Sequence, residues 1–147
     1  MVGIESSKLA ESLGELGYLY WQQDNYSLAE QFFQRALTLH EQLLGAEHPR
    51  GGVDILNMAA VYRQQGKYHE AEHMYLRAIS LWKHTQGPED PDVAYAQSGL
   101  AKLYLLQERF SEAKLLCQQA YSILEKALGP DHPKAVGVQQ QIAQLPI

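Results

Sequence analysis

Apolar positions along the chain recur at spacings of three and four, and they come in blocks. From about Pro49 to Gln65, the residues Ile55, Met58, Ala59 and Tyr62 share one helical face. From about Tyr68 to His84, Ala71, Met74, Tyr75, Ala78, Ile79 and Trp82 do the same. Gly66 lies between the blocks. The pattern predicts two amphipathic helices joined by a tight turn, at a point where a side chain would restrict the backbone. Ala59, Ala71 and Ala78 let the two helices approach closely, and the larger apolar residues fill the remaining layer.

This helix pair is one copy of a repeat. GKYHEAEHMYLRAI (66–79) is preceded by DNYSLAEQFFQRAL (24–37) and followed by ERFSEAKLLCQQAY (108–121), each offset by 42 residues. Tyr26, Tyr68 and Phe110 align, as do Ala29, Ala71 and Ala113, and then Ala36, Ala78 and Ala120. The junctions keep step too. Gly45, Gly87 and Gly129 are each followed by Pro49, Pro91 and Pro133. Glycine suits a helix end and proline the first turn of the next helix. Asp90 is placed to cap that helix, with His48 and His132 at the same place in the other junctions. A zinc site is the rival reading for these histidines, but they stand one per junction without ligand spacing.

The period sets repeats at 5–46, 47–88 and 89–130, followed by a helix over 131–145. In that last helix Val138, Ile142 and Ala143 continue the apolar pattern. Gln139, Gln140 and Gln144 mark a polar outer side that suits an end cap. The expectation is one all-α domain over 1–147, a right-handed stack of seven helices. Repeats of this length overlap the HEAT and armadillo range, but the order Tyr62, Ala71, Tyr75, Ala78 follows the tetratricopeptide pattern. Here LNMAAVYRQQGKYHEAEHMYLRAI (56–79) and ALGPDHPKAV (127–136) resemble the kinesin light-chain type of tetratricopeptide repeat. The resemblance implies a solenoid of three helix pairs plus a C-terminal capping helix, whose first helices line a concave groove.

Composition narrows the function classes. A net charge of −5 gives no general cationic footprint for nucleic acid. No apolar run reaches membrane-spanning length, and MVGIESSKLA lacks the plan of a secretory signal. Cys117 is the single cysteine, so no internal disulfide forms and a buried structural thiol is expected. These features point to a cytoplasmic protein without nucleic-acid or membrane partners. No nucleophile elbow or glycine-rich phosphate loop is present. His40, His69, His73 and His84 fall on second helices among charged neighbours and are expected at the surface. His69 and His73 stand four apart, a spacing open to a metal, but without the H-E-x-x-H glutamate. Neither catalysis nor a cofactor or metal is expected.

The candidate site is therefore a peptide groove. Its expected lining is Glu15, Tyr18 and Trp21 from the first repeat, Asn57, Arg63 and Gln64 from the second, and Tyr95 and Lys102 from the third. Aromatic anchors with a few placed polar groups suit a peptide or partner helix. The kinesin light-chain resemblance implies that Asn57 occupies the position of a groove-lining asparagine, although Glu15 and Gly99 replace it in the other repeats. Arg63 and Lys102 would attract a carboxylate, while Glu11 and Glu15 would repel one. The alternative is an assembly element that associates through its ends or convex face, with Leu9, Leu13 and Leu16 partly exposed.

Overall fold

The computed structural model describes residues 2–147, with side chains from residue 6 onward. Among the described residues there are seven α-helices and no strand. They are α1 (Val2–Gln22), α2 (Tyr26–Leu44), α3 (Gly51–Gln64), α4 (Tyr68–Gln86), α5 (Pro91–Leu106), α6 (Phe110–Leu128) and α7 (Pro133–Ala143). The contacts gather into two compact units, Met1–Arg77 and Ala78–Ile147, and the division falls within α4.

In the first unit α1 packs on α2, and α2 on α3. Its core is built around Phe33, only 2% exposed, together with Ala29, Met58 and Val61. Tyr20, Trp21, Tyr26, Tyr62 and Met74 close over this cluster. Phe33 fits because α1 offers bare backbone at Gly17, where an added Cβ would lie 2.6 Å from the ring's Cδ1. In the second unit α5 packs on α6, and α6 on α7. Ala113, Cys117 and Ala120 of α6 are fully buried, as are Ala96 and Leu103 of α5. Burial pushes the Cys117 thiol above its ordinary pKa, as expected of a structural thiol.

The connections follow the repeat. Asp24, Gly66 and Glu108 share one repeat position, and all have positive φ, at 60°, 75° and 59°. The turn thus demands a left-handed residue even where the sequence supplies no glycine. At the junctions, Gly45, Gly87 and Gly129 have φ of 91°, 97° and 93°. Asp90 then caps α5, its Oδ1 accepting from the Asp92 amide at 2.9 Å. His132 does the same for α7, with Nδ1 accepting from the Lys134 amide at 3.2 Å, and His48 Nδ1 accepts from Arg50 at 3.2 Å. Both junction histidines spend Nδ1 on the turn, which is the structural reading of them.

Some boundaries depart from expectation. Helix α3 starts at Gly51 rather than Pro49. Two consecutive glycines weaken its first turn, and Gly51 and Gly52 instead donate to the carbonyls of His48 and Pro49, at 3.1 and 3.0 Å. Helix α4 runs on to Gln86, one residue short of Gly87. Helix α7 ends at Ala143, which is exposed, while Leu145 beyond it is buried. Leu13 is buried at 5%, whereas Leu9 and Leu16 are exposed.

Two substitutions in α1 separate packing from propensity. Gly14 has nothing within 4 Å of an added Cβ. Gly14→Ala should therefore stabilise by about 0.5–1 kcal/mol through helix propensity. Gly17→Ala should destabilise by about 1–3 kcal/mol, because the Phe33 ring is caged by the core. Urea denaturation of both variants measures the two signs. In the turns, Glu108→Gly should raise stability by about 0.5–1 kcal/mol by relieving the left-handed conformation.

Candidate functional site

Each unit carries a cleft between two helices that begin successive repeats. In the first unit a cleft of about 690 Å³ lies between α1 and α3. Its walls are Ala10, Glu11, Gly14, Glu15, Tyr18 and Leu19 on one side and Arg50, Val53, Asp54 and Asn57 on the other, with His40 contributed by α2. Tyr18 and Val53 are 52% and 55% exposed, so the walls keep apolar surface in water. Asn57 is half-buried, and its amide makes no hydrogen bond among the described residues. Glu15 is exposed and forms no ion pair among them. Glu11 is engaged by Arg50 Nη2 across the cleft, a pair half-exposed on both sides and so weak.

The cleft also contains a buried polar pair. His40 Nδ1 lies 2.5 Å from Asp54 Oδ2, with His40 6% and Asp54 4% exposed. This corrects the expectation of a surface histidine. The reason is register. His40 aligns with Trp82 and Leu124, and Asp54 aligns with Ala96 and Val138, all of them buried. Two core positions in one unit have become complementary polar partners. Burial raises the Asp54 carboxyl above its ordinary pKa, while the bond and charge of His40 oppose that shift without reversing it. His40 Nε2 is buried without a partner among the described residues.

In the second unit a cleft of about 370 Å³ lies between α5 and α7. Tyr95, Ser98 and Lys102 of α5 face Lys134, Gly137 and Gln141 of α7 across it. Tyr95 is 63% exposed. Gln141 ties the walls together. Its Oε1 accepts from Ser98 Oγ at 2.8 Å, and its Nε2 donates to the Ser98 carbonyl at 3.2 Å. The charged side chains of this cleft are two lysines, whereas those of the first unit are mainly carboxylates.

The structure thus brings Glu15, Tyr18 and Asn57 together in one cleft, and Tyr95 and Lys102 in another. Trp21, Arg63 and Gln64 line neither. Trp21 stacks on Tyr18 with ring centroids 6.0 Å apart and packs against the Phe33 cluster, its indole N–H buried without a partner among the described residues. Arg63 is partly buried and donates to the Tyr75 hydroxyl at 3.0 Å. Gln64 is exposed at the end of α3. Leu56, the residue before Asn57 on α3, is buried. Sequence reasoning missed Asp54, Arg50 and Lys134. Alignment across the repeats held the signal for Asp54, and none was available for the other two.

The tetratricopeptide-repeat model matches residues 53–126, and a second model of that description matches 9–50. The chain belongs to the tetratricopeptide-repeat family. Its three helix pairs and C-terminal helix are of the kinesin light-chain type. The nearly identical TPR-like repeats assigned to a kinesin light chain of Podosopora anserina superpose with TM-score 0.82 at 25% identity, over 94% of this chain and 65% of that one. BtubC (BKLC) of P. vanneervenii gives 0.81 at 20% identity, over 95% and 55%. The chain therefore spans less than two thirds of these relatives. The first TPR of Spaghetti (RPAP3), bound to the HSP90 peptide SRMEEVD, shares the fold with TM-score 0.65 at 20% identity, over 94% and 93%. No curated protein matches the sequence. No helix among the described residues is long and apolar enough to cross a membrane.

The buried pair makes a pH prediction. A carboxyl whose folded pKa is raised adds stability that is complete below its ordinary value of 3.8 and is lost as pH rises through the folded value. Asp54→Asn keeps an acceptor for His40 but cannot titrate. Wild type should therefore lose stability relative to Asp54→Asn as pH rises from 3.8. Urea melts of both proteins across that range measure the difference. A difference that stays flat or moves the other way contradicts the assignment.

Proposed function

We propose that this chain is a non-catalytic protein-interaction module that holds a peptide or helical segment of a partner against its first-of-repeat helices. The observation that carries the reading is the α1–α3 cleft, which is lined by the bare backbone of Gly14 and the half-exposed Tyr18 ring on α1 and by an unbonded Asn57 amide on α3. An amide can both donate to and accept from a peptide backbone, and an aromatic face gives contact area with little loss of side-chain freedom. Helix-interior glycine lowers helix stability, so Gly14 is best explained by the close approach of something outside the unit. The Spaghetti domain bound to the HSP90 peptide SRMEEVD is a protein of the same fold with a peptide bound.

A second reading, association of copies through the ends or the convex face, is favoured by the exposed Leu9 and Leu16 of α1. The two separate cleanly. A peptide-display selection against the whole chain should enrich a shared motif, and Asn57→Ala should weaken its binding by about tenfold while leaving helicity intact. Absence of any motif, together with a molecular mass that rises with concentration and falls on Leu16→Glu, would favour association instead.

A further inference from the structure

The α1–α3 cleft has a charge that selects among peptides. Its rim carries the carboxylates of Glu11 and Glu15, and Arg50, the one arginine or lysine among the described residues that line it, is already placed on Glu11. Glu15, one helical turn further along α1, has no such partner among the described residues. Arg50 on Glu11 is in effect an internal example of the ligand. It shows a guanidinium seated on a carboxylate of this same helix edge, beside apolar surface from Val53, Tyr18 and Leu19.

Gly14 lies between those two carboxylates in sequence and on the cleft wall. Packing does not require it, since an added Cβ meets nothing within 4 Å. Gly17, three residues on, shows what a packing glycine looks like in the same helix, with Phe33 pressed against it. The free space at Gly14 leaves room for main chain, and Asn57 on the facing helix offers the matching amide. Bare backbone, an unspent amide, an unpaired carboxylate and apolar walls converge on one ligand chemistry.

We propose that this cleft binds an extended, cationic segment of a partner protein, with an arginine or lysine on Glu15, its main chain over Gly14 and against Asn57, and a neighbouring apolar side chain on Tyr18 and Val53. The proposal rests on the peptide-binding reading and adds to it the charge and register of the ligand. An acidic segment is disfavoured here, because Glu15 would repel it and Arg50 is already engaged.

The test is fluorescence anisotropy on the whole chain with three labelled octapeptides, alternating leucine with arginine, with glutamate or with serine. The arginine probe should bind about tenfold or more tightly than the glutamate probe, and the gap should shrink at high salt. Glu15→Lys should weaken the arginine probe by about tenfold, while Asp131→Lys, the same charge change on an exposed loop of the other unit, should leave it within about twofold. Gly14→Leu should abolish binding with the thermal midpoint unchanged or raised, which separates occlusion from unfolding. Equal or tighter binding of the glutamate probe, or no effect of Gly14→Leu, overturns the proposal. If the probes bind equally and Asn57→Ala weakens them all, the peptide-binding reading stands and the charge assignment falls. If none binds and display yields no motif, both fall.

Discussion

The contact between the Phe33 ring and the bare backbone of Gly17 is the constraint on which the first unit depends. An amphipathic helix pair cannot bury its own apolar face, and close approach of the helices decides how much surface leaves water. The repeat solves this with matched sizes. Gly17, Ala59 and Ala101 share one position on the first helices, and Phe33, Tyr75 and Cys117 share one on the second. All six are buried. The Phe33 ring stands where the first helix gives up its side chain entirely. Ala29, Ala71 and Ala113, with Ala36, Ala78 and Ala120, keep the rest of the interface narrow at 0% exposure.

That spacing also makes the cleft. With α1 and α3 both held against α2, their outer faces are left with little to bury. Residues there are free to carry chemistry, and Glu15, Tyr18 and Asn57 do so. Beneath them the His40–Asp54 pair replaces apolar partners found in the other repeats. A buried polar pair is weak evidence for stability, since its desolvation offsets much of its attraction. Its physical consequence is coupling, because it ties α2 to α3 at the cleft through a group that titrates.

The fold was largely legible because its signals repeat. A single Gly66 suggests a turn. The same turn at Asp24 and Glu108, without glycine, was recoverable only because the period placed them in register. The start of α3 was misread because Pro49 matches Pro91 and Pro133, and the following Arg-Gly-Gly does not support a helical first turn as Asp-Val and Lys-Ala do. The site was legible in part. Asn57, Tyr18 and Glu15 follow from helical phase once the family resemblance assigns the groove to the first helices. His40 did not, because polarity suggested the surface while its aligned partners Trp82 and Leu124 indicated the core. Arg63 and Trp21 show the remaining limit. Phase places them near the cleft, but Arg63 reaches Tyr75 and Trp21 turns to the Phe33 cluster, and contacts at that scale depend on side-chain reach.

The most direct test of the central claim, that the α1–α3 cleft is a binding surface for a cationic segment, is amide chemical-shift mapping by NMR. The isotope-labelled chain would be titrated with the leucine–arginine octapeptide. The account predicts shifts concentrated at Gly14, Glu15, Tyr18 and Asn57, with the Asn57 side-chain amide among the largest. Shifts centred on Tyr95, Lys102 and Lys134, or spread evenly over acidic surface, would contradict it.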